Sequence, residues 1–585
     1  MQINRAKFQS KLLHTLDLLM VIVAMLAIVS LIIEVGGFDL SMETKEQLEV
    51  LNWIIIALFL AEHFIRWGVD QFSFSYLKKH WFSFSLVFIF VFLLIIIKYP
   101  AIFKQDSDTL RFVDLSVTRA YVIIVRLYIL VNLLIKGIST SSRIARANLP
   151  AAQIVSFSFI FVILFGTIFL MLPGATKAAK EISFVDALFT ATSATCVTGL
   201  IVVDTGSFFS RFGQIVILIL IQIGGLGLMT MTAFFSIILG RSMSVKESVL
   251  MSDVLSSSTL SKISHMIVSI LILTFVFEAL GILSFYLSWS DVNGFEHGSI
   301  LYYSVFHSVS AFCNAGFSLF SDSFSGFKDV LSHNMTVTSL IIFGGLGFTV
   351  LMNVFRFLLF KKERLSLQTK LVLLSTACLI AVGTILILVT EWDQSLKELP
   401  LFTKILTGYF QSVTTRTAGF NTINIGGLTN ACYFLMMILM FIGASPGSTG
   451  GGIKTSTFSI LVGSILSMLK GRESLEMFRR NVPREIVNKA LSVVILALAL
   501  LAVFGFVLLF TEKADPMHIL FEMVSAFGTV GLSAGLTPNL SFWGKIVIIT
   551  TMFIGRIGPL TLALAIGQRQ ERVDYEYPDE AVMIG

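Results

Sequence analysis

Charge is what this chain has least of. Asp, Glu, Lys and Arg make up 13% of the 585 residues against 55% hydrophobic ones, and mean hydropathy is +0.87. So little polar surface cannot cover a water-soluble globule, although the length alone would hold several soluble domains. Cysteine is nearly absent: Cys196, Cys313, Cys378 and Cys432 have no C-x-x-C spacing and no neighbouring histidine cluster. Packing or loop-lining roles are expected for them, not disulfides or metal sites. No G-x-G-x-x-G follows a strand and no Walker lysine motif occurs, so no nucleotide site is expected in the chain. Acid, base and nucleophile gather nowhere, which leaves no enzyme reading.

What the chain has in quantity is apolar runs of about 18 residues or more, the length that crosses a bilayer. The first continues from Leu16 to Val35 with no small-residue cleavage motif after it, so no removable leader is expected. The net charge of +6 sits in particular loops, and nucleic-acid binding is not read from it. Basic residues cluster at Arg5, Lys7 and Lys11, then at Arg66, Lys78 and Lys79, then at Lys136, Arg143 and Arg146. They recur at Arg241 and Lys246, at Lys361, Lys362 and Arg364, and at Lys470, Arg472, Arg479, Arg480 and Arg484. An even number of expected crossings separates successive clusters, so the positive-inside rule places them all, and both termini, on the cytoplasmic side.

Four short stretches look like copies of one another: Ser193-Ala-Thr-Cys-Val-Thr-Gly199, Ser310-Ala-Phe-Cys-Asn-Ala-Gly316, Val413-Thr-Thr-Arg-Thr-Ala-Gly419 and Ser525-Ala-Phe-Gly-Thr-Val-Gly531. Their glycines lie 117, 103 and 112 residues apart, about right for a two-helix membrane unit with a loop between. First helices are expected near Ile154, Ile263, Leu371 and Leu491, and second helices near Gln214, Thr336, Cys432 and Phe542. The hydrophobic stretch before each glycine, such as Phe184–Ala194 or Ile519–Ala526, is too short to span and reads as a re-entrant helix. Hydropathy gives about twelve spans and four half-helices. Irregular backbone at membrane depth is tolerated only inside protein or along a wet cavity. Gly permits the angles that aim carbonyl oxygens at an axis, and a carbonyl ring can replace the water shell of a potassium ion. The loops hold no carboxylate between helix end and glycine, as that chemistry requires.

These loops, with Phe189-Thr-Ala-Thr-Ser-Ala-Thr-Cys-Val-Thr-Gly-Leu200, Thr415-Arg-Thr-Ala-Gly-Phe-Asn421 and Phe527-Gly-Thr-Val-Gly-Leu532, resemble the filter loops of the Ktr/Trk/HKT superfamily of potassium transporters, nearest the bacterial KtrB type. The resemblance covers about residues 150–585. It implies a filter of Val197, Thr198 and Gly199; Asn314, Ala315 and Gly316; Thr417, Ala418 and Gly419; and Thr529, Val530 and Gly531. Family members with Ser in the first loop tolerate sodium, so four glycines argue for potassium. The resemblance also implies a homodimer on a cytosolic ring of RCK-type (KtrA/TrkA-like) nucleotide-binding subunits, in the cell inner membrane. Potassium is the transported ion, sodium a possible activator, and no organic cofactor is implied.

A second motif, Gly443-Ala-Ser-Pro-Gly-Ser-Thr-Gly-Gly-Gly-Ile-Lys454, falls inside the second helix of the third unit. Pro446 with Gly447, Gly450, Gly451 and Gly452 cannot sustain a helix. A small polar run including Ser445 reads as a flexible plug and matches the intramembrane gating loop of KtrB-like proteins. Arg556, in Ile554-Gly-Arg-Ile-Gly-Pro559, is an intramembrane cation and functional by default; the resemblance puts it close to that loop. Lys454 is expected either beside the loop or snorkelling as a structural residue. Arg416 is expected to brace backbone, Asn314 and Asn421 to shape their loops, Glu278 to pair with a loop amide, and His307 to be a polar residue of a short helix, not a metal ligand.

Residues 1–150 hold four further apolar segments, roughly Leu16–Val35, Val50–Trp67, Phe82–Lys98 and Val113–Lys136, which the usual KtrB plan lacks. Phe59-Leu-Ala-Glu-His-Phe-Ile-Arg66 resembles the second helix of voltage sensors. The fourth segment has only Arg119 and Arg126 before Lys136, and Ser85 stands where a sensor would offer Asp. Each full gating charge is worth about 2.3 kcal/mol per 100 mV, so two cations do little electrical work. A degenerate sensor-like bundle for packing or assembly is expected, with Glu62 paired to Arg119 or Arg126.

The expected fold is an all-α polytopic membrane protein. An N-terminal four-helix bundle (1–150) precedes a domain of four repeats (about 151–240, 260–361, 370–470 and 488–567) with a short cytoplasmic tail whose polar residues, Val573–Glu580, contact a partner or second protomer. Two other classes stay open. A proton- or sodium-coupled carrier would need midplane carboxylates, of which only Glu278 qualifies within the repeats. A voltage-gated channel would use residues 1–150 as a working sensor.

Overall fold

The computed structural model describes residues 42–69, 151–177, 180–227, 263–290, 297–359, 364–472 and 474–559, with single positions at 16, 19, 23, 26, 30, 561 and 563. The expected segments at 82–98 and 113–136, Arg119, Arg126 and the 573–580 tail lie outside the described residues. From the N-terminal block a 28-residue helix α1 (Met42–Val69) is described, longer at its start than hydropathy alone indicated. Within it Glu62, buried, accepts from the Nε of Arg66 one turn on. Arg66 is thus one partner of Glu62, while the expected partners Arg119 and Arg126 lie outside the described residues.

The remainder repeats one plan four times. The first stretch is α2 (Ala151–Leu170), α3 (Phe184–Thr195) and α4 (Arg211–Leu226). The second is α5 (Ile263–Trp289), α6 (His297–Phe312), α7 (Leu331–Leu346) and α8 (Phe348–Leu359). The third is α9 (Leu367–Glu391), α10 (Leu401–Thr414), α11 (Asn430–Phe441) and α12 (Thr455–Leu469). The fourth is α13 (Arg484–Thr511), α14 (Pro516–Gly528) and α15 (Phe542–Ile557).

Among the described residues the first helix of each stretch (α2, α5, α9, α13) is long and apolar enough to cross a membrane, and the pair α7 and α8, bent by 101°, makes a fifth if taken as one span. These long helices turn apolar side chains outward. Phe157, Phe161, Leu164 and Ile168 are exposed on α2, Val389 on α9, and Phe510 on α13 is 85% exposed. In water such faces would mark a missing partner, whereas in a bilayer they meet the solvent they suit.

The short helices invert this. At 12 to 16 residues they are about 18–24 Å long, below the roughly 30 Å of a hydrocarbon core. The final seven residues of α3 and the final four of α14 are all buried. Their starts are capped: the Ser183 hydroxyl accepts from the Asp186 N–H, and the Asp515 carboxylate accepts from the Met517 N–H with Pro516 at the first helical position.

Packing follows a cycle. Each long helix holds the short helix that follows it, α2 on α3, α5 on α6, α9 on α10 and α13 on α14. Each second helix packs on the short helix of the next stretch, α4 on α6, α7 on α10 and α11 on α14, and α15 returns to α3. A half-buried ion pair, Lys545 Nζ to Asp186 Oδ1 at 2.6 Å, sits at that returning joint between α15 and α3.

One element departs from the all-α expectation. Leu475–Met477 (β1) pairs antiparallel with Arg480–Val482 (β2), the only sheet among the described residues. Its two-residue turn, Phe478-Arg479, has φ of 50° and 61°. That is the geometry that Asn-Gly usually signals, and without those residues the sequence carried no hairpin signature.

Candidate ion site

Each short helix runs at its C-terminal end directly into one of the four glycine loops. The residue two before each glycine has left-handed backbone, with φ of 57° at Val197, 58° at Asn314, 71° at Thr417 and 50° at Thr529. The glycines follow at 94° (Gly199), 71° (Gly316), 78° (Gly419) and 89° (Gly531). Backbone whose handedness alternates residue by residue turns successive peptide planes the same way, so N–H groups collect on one side and carbonyls on the other.

The N–H side faces the short helices. The amides of Thr198, Ala315 and Val530 donate to the carbonyls of Ser193, Ser310 and Ser525 five residues back, at 2.8, 2.7 and 2.8 Å. The Gly199 and Gly531 amides donate to the Ser193 and Ser525 hydroxyls, each at 3.1 Å. In the third loop the Ala418 amide instead reaches Thr414 O, four residues back, at 3.0 Å. No hydrogen bond among the described residues ends on the carbonyl oxygens of Thr198, Ala315, Ala418 or Val530, and all four residues are fully buried.

These four carbonyls close a ring. A Cβ placed on Gly199 would stand 2.5 Å from Ala315 O, on Gly316 2.8 Å from Ala418 O, on Gly419 2.4 Å from Val530 O, and on Gly531 2.1 Å from Thr198 O. The order is first to second to third to fourth to first. Any side chain at these positions would strike the next loop's backbone. With the negative ends of four helix dipoles aimed at it, the ring is an environment for a cation.

The second motif lies against this ring. Helix α11 stops at Phe441 and α12 starts at Thr455, with the segment between them folded on itself: Gly443 sits against Gly451 O, and the hydroxyls of Ser445 and Thr455 are 2.9 Å apart. Gly451 donates to the Thr529 hydroxyl at 3.0 Å, and Gly450 leaves only room for the Thr417 hydroxyl. Toward the second stretch, Ser445 N donates to Gly345 O at 3.0 Å and Thr449 N to Gly344 O at 3.2 Å. Gly347 faces Pro446 O, and Phe348 N donates to Gly447 O at 2.9 Å. Gly447 and Gly452 have φ of 68° and 69°. Lys454 turns inward, its Nζ donating to Gly450 O at 2.7 Å.

Arg556 joins the segment to the first stretch: its guanidinium donates to Thr449 O through one terminal nitrogen and to Gly224 O through the other. Two carbonyls thus share one cation, and no carboxylate competes for it among the described hydrogen bonds. All the residues expected in loops and plug are brought together at this one place.

Several side expectations change. Arg416 is buried, yet its guanidinium has no hydrogen bond to loop backbone among the described residues. It borders a small cavity of about 10 Å³ lined also by Ile341, Ile342, Gly345, Thr376, Ile380 and Val413. Among the described residues Glu278 does not pair with a loop amide; its neighbour is Gln222 of α4, and its Oε1 has no hydrogen-bond partner there. His307 accepts at Nε2 from Leu319 N at 3.2 Å and so donates from Nδ1 to Tyr303 O at 2.8 Å, as a loop-holding residue. The Asn314 amide lies 3.2 Å from the Thr417 hydroxyl, and Asn421 donates to Ile423 O at 3.0 Å. Cys196, Cys313 and Cys432 are buried free thiols, with Cys313 packed on Gly225, while Cys378 is exposed. No group of three or more His, Cys, Asp or Glu able to hold a metal occurs among the described residues.

Two functional features escaped the sequence reading. The other three second helices also end at a glycine: Gly227, Gly347 and Gly558 follow α4, α7 and α15 with φ of 80°, 91° and 94°. Ile223-Gly-Gly-Leu-Gly227, Phe343-Gly-Gly-Leu-Gly347 and Ile554-Gly-Arg-Ile-Gly558 were the available signal. Gly224, Gly344 and Gly555 each press on a carbonyl at the end of their own short helix, Thr195 O, Phe312 O and Phe527 O. Arg556 therefore occupies the repeat position of Gly225 and Gly345.

The other feature is Glu522, buried in α14. Its Oε1 accepts from Ser533 Oγ at 2.5 Å, Ala534 N at 3.1 Å and Leu536 N at 3.2 Å, and its Oε2 from Thr537 Oγ1 at 2.7 Å. Glu522→Ala would leave these buried donors without an acceptor, at about 1–3 kcal/mol each for those that water cannot reach. A marked drop in thermal midpoint in detergent is expected, with Glu522→Gln retaining part of it through its amide oxygen. An Ala variant as stable as the parent would contradict this role.

Lipid-facing long helices around a buried ring of backbone loops are the build of a helical membrane transport protein. Comparison with known proteins agrees. The model of the TrkH family, described as a cation transport protein, matches residues 122–573. Ktr system potassium uptake protein B of Bacillus subtilis (strain 168) is 40% identical over 435 residues, covering 74% of this chain and 96% of that protein. The potassium/sodium uptake protein NtpJ of Enterococcus hirae is 37% identical over 447 residues, covering 75% and 98%. The crystal structure of the potassium transporter TrkH from Vibrio parahaemolyticus shares the fold, with a TM-score of 0.59 and 16% identity over 84% of this chain and 98% of that one. The chain belongs to the TrkH family of cation transport proteins.

Proposed function

We propose that this protein is the membrane subunit of a Ktr-type potassium uptake system. Potassium ions cross the ring of Thr198, Ala315, Ala418 and Val530 carbonyls down their electrochemical gradient, exchanging hydration water for backbone oxygen. The observation that carries the reading is the cyclic approach of each glycine to the next loop's unengaged carbonyl. It is supported by the names of the relatives, which speak of potassium uptake and, for NtpJ, of potassium and sodium. The segment from Gly443 to Lys454 blocks the path beside the ring, and Arg556 pins it. The chain works as a homodimer with a cytosolic RCK-type regulatory subunit, both termini cytoplasmic, and sodium is at most an activator. The N-terminal block has a packing or assembly role.

The test is flux from liposomes holding the purified full-length protein, with potassium and sodium offered separately and together, with and without whatever soluble subunit co-purifies. Potassium flux well above sodium flux is expected. Equal fluxes would remove the selectivity assignment. Flux that requires a proton gradient and fails with Glu278→Gln would replace the pore with a coupled carrier.

A further inference from the structure

The most prominent feature that the ring does not use is the hairpin β1–β2 between the third and fourth stretches. It does not extend away from the helices. Leu475 and Met477 lie against Gly463, where an added Cβ would come within 3.2 Å of Leu475 Cδ1 and 3.0 Å of Met477 Cε. Gly463 precedes the end of α12 by six residues, so the strand runs back along that helix by about 9 Å. The tip meets the first turn of the spanning helix α9: Lys370 Nζ stands 5.8 Å from the ring centre of Phe478. The helices flanking the hairpin carry apolar exposed residues up to it, with Met468 and Leu469 closing α12 and Ile486 opening α13. The tip is therefore held beside the start of the spanning helix α9, with exposed apolar surface on the helices that flank the hairpin's base.

What the tip presents there is an exposed aromatic and unpaired cations. Phe478 is 44% exposed. Arg479 and Arg480 are exposed and make no ion pair among the described residues, whereas Arg472 is engaged with Glu476 at 3.0 Å. Lys370, beside the Phe478 ring, is exposed too. Among the described residues the opposing charges near the tip are few: Glu476 is taken by Arg472, and Glu485 is exposed in the first turn of α13. An amphipathic aromatic suits the membrane–water interface. The guanidinium fork matches phosphate oxygens, and clustered cations beside a membrane favour anionic lipid.

We propose that the hairpin tip binds anionic phospholipid headgroups of the cytoplasmic leaflet, with Phe478 set among the acyl-chain ends nearest the surface and Arg479, Arg480 and Lys370 around one phosphodiester. The site anchors the joint between the third and fourth stretches, and α12, which carries the blocking segment at its N-terminal end, is the helix it grips. The proposal needs the membrane placement of the chain but not the identity of the transported ion.

The test uses the full-length protein in mild detergent with equal amounts of phosphatidylglycerol and phosphatidylcholine, and counts retained lipids by native mass spectrometry. The parent should retain phosphatidylglycerol over phosphatidylcholine by roughly fivefold or more. Arg479→Gln/Arg480→Gln should bring that ratio near one, Phe478→Ala should lower it, and Lys397→Gln, in the turn beyond the far end of α9, should leave it unchanged. Unaltered gel-filtration elution and thermal midpoint establish that the variants fold. Equal retention by the parent, or a preference that survives the double substitution, overturns the proposal. So does a double variant that loses a co-purifying soluble protein while keeping its phosphatidylglycerol, since the tip would then be a protein-docking surface.

Discussion

Gly531→Ser should lower potassium flux by roughly tenfold or more, or admit sodium at a comparable rate, without preventing assembly. The Cβ of any residue at position 531 would lie 2.1 Å from Thr198 O and 2.9 Å from the Gly199 Cα. Both are backbone atoms, which cannot rotate aside as a side-chain tip can. The φ of 89° adds conformational strain of about 1–3 kcal/mol for a non-glycine residue. Relief requires the first loop to retreat, taking the Thr198 carbonyl with it and widening the ring. Since about 1.4 kcal/mol in a barrier is tenfold in rate, a strain of this size is ample. Gly316→Ser makes an informative companion, because its Cβ meets Ala418 O less severely, at 2.8 Å, and a smaller effect is expected. The measurement is the potassium-to-sodium flux ratio in liposomes. Two variants indistinguishable from the parent would remove the ring from the ion path.

Arg556→Gln should do the opposite and raise flux in the absence of any regulatory subunit. The guanidinium holds two carbonyls at once, Thr449 O in the blocking segment and Gly224 O at the end of α4. Hydrogen bonds from a charged donor contribute about 1.5–3 kcal/mol each, and a glutamine amide is too short to span both acceptors. If the closed arrangement loses even one such bond, its population relative to an open one falls about tenfold. Unregulated potassium efflux should rise by a comparable factor, with Arg556→Lys between the two, since lysine keeps the charge but not the fork. Flux that stays level or falls in a correctly folded variant would show that Arg556 does not hold the path closed. The two substitutions separate the two parts of the site, because one changes which ion passes and the other how much.

Much of this site was legible before any coordinates. The four loops could be found because backbone chemistry at membrane depth demands glycine and forbids carboxylates, and both demands are local in sequence. The same held for the short helices, whose capping residues and limited length are local features. The interruption between α11 and α12 was legible because Pro446 and its glycines cannot be helical. The matching breaks at Gly227, Gly347 and Gly558 were equally local, and were overlooked because a single glycine after an apolar run is an unremarkable helix end. Partners were not legible. Glu278 looked ready for a loop amide and lies by Gln222; Arg416 looked like a brace and makes no hydrogen bond to the loop among the described residues. The hairpin at Leu475–Val482 had no turn signature at all.

The sequence by itself determined that this is a membrane protein with four glycine loops in series and one broken helix that differs from the rest. Each of those follows from what a short run of residues can or cannot do in hydrocarbon. Only the tertiary structure decided that the four loops meet in cyclic order, that the carbonyls of Thr198, Ala315, Ala418 and Val530 rather than those residues' amides are without a hydrogen bond among the described residues, and that Arg556 bridges segments 107 and 332 residues away. The physical reason is that a backbone conformation is set by near neighbours. A hydrogen-bond partner is set by whichever groups the packed helices bring within 3 Å, and no stretch of sequence contains both ends of that contact.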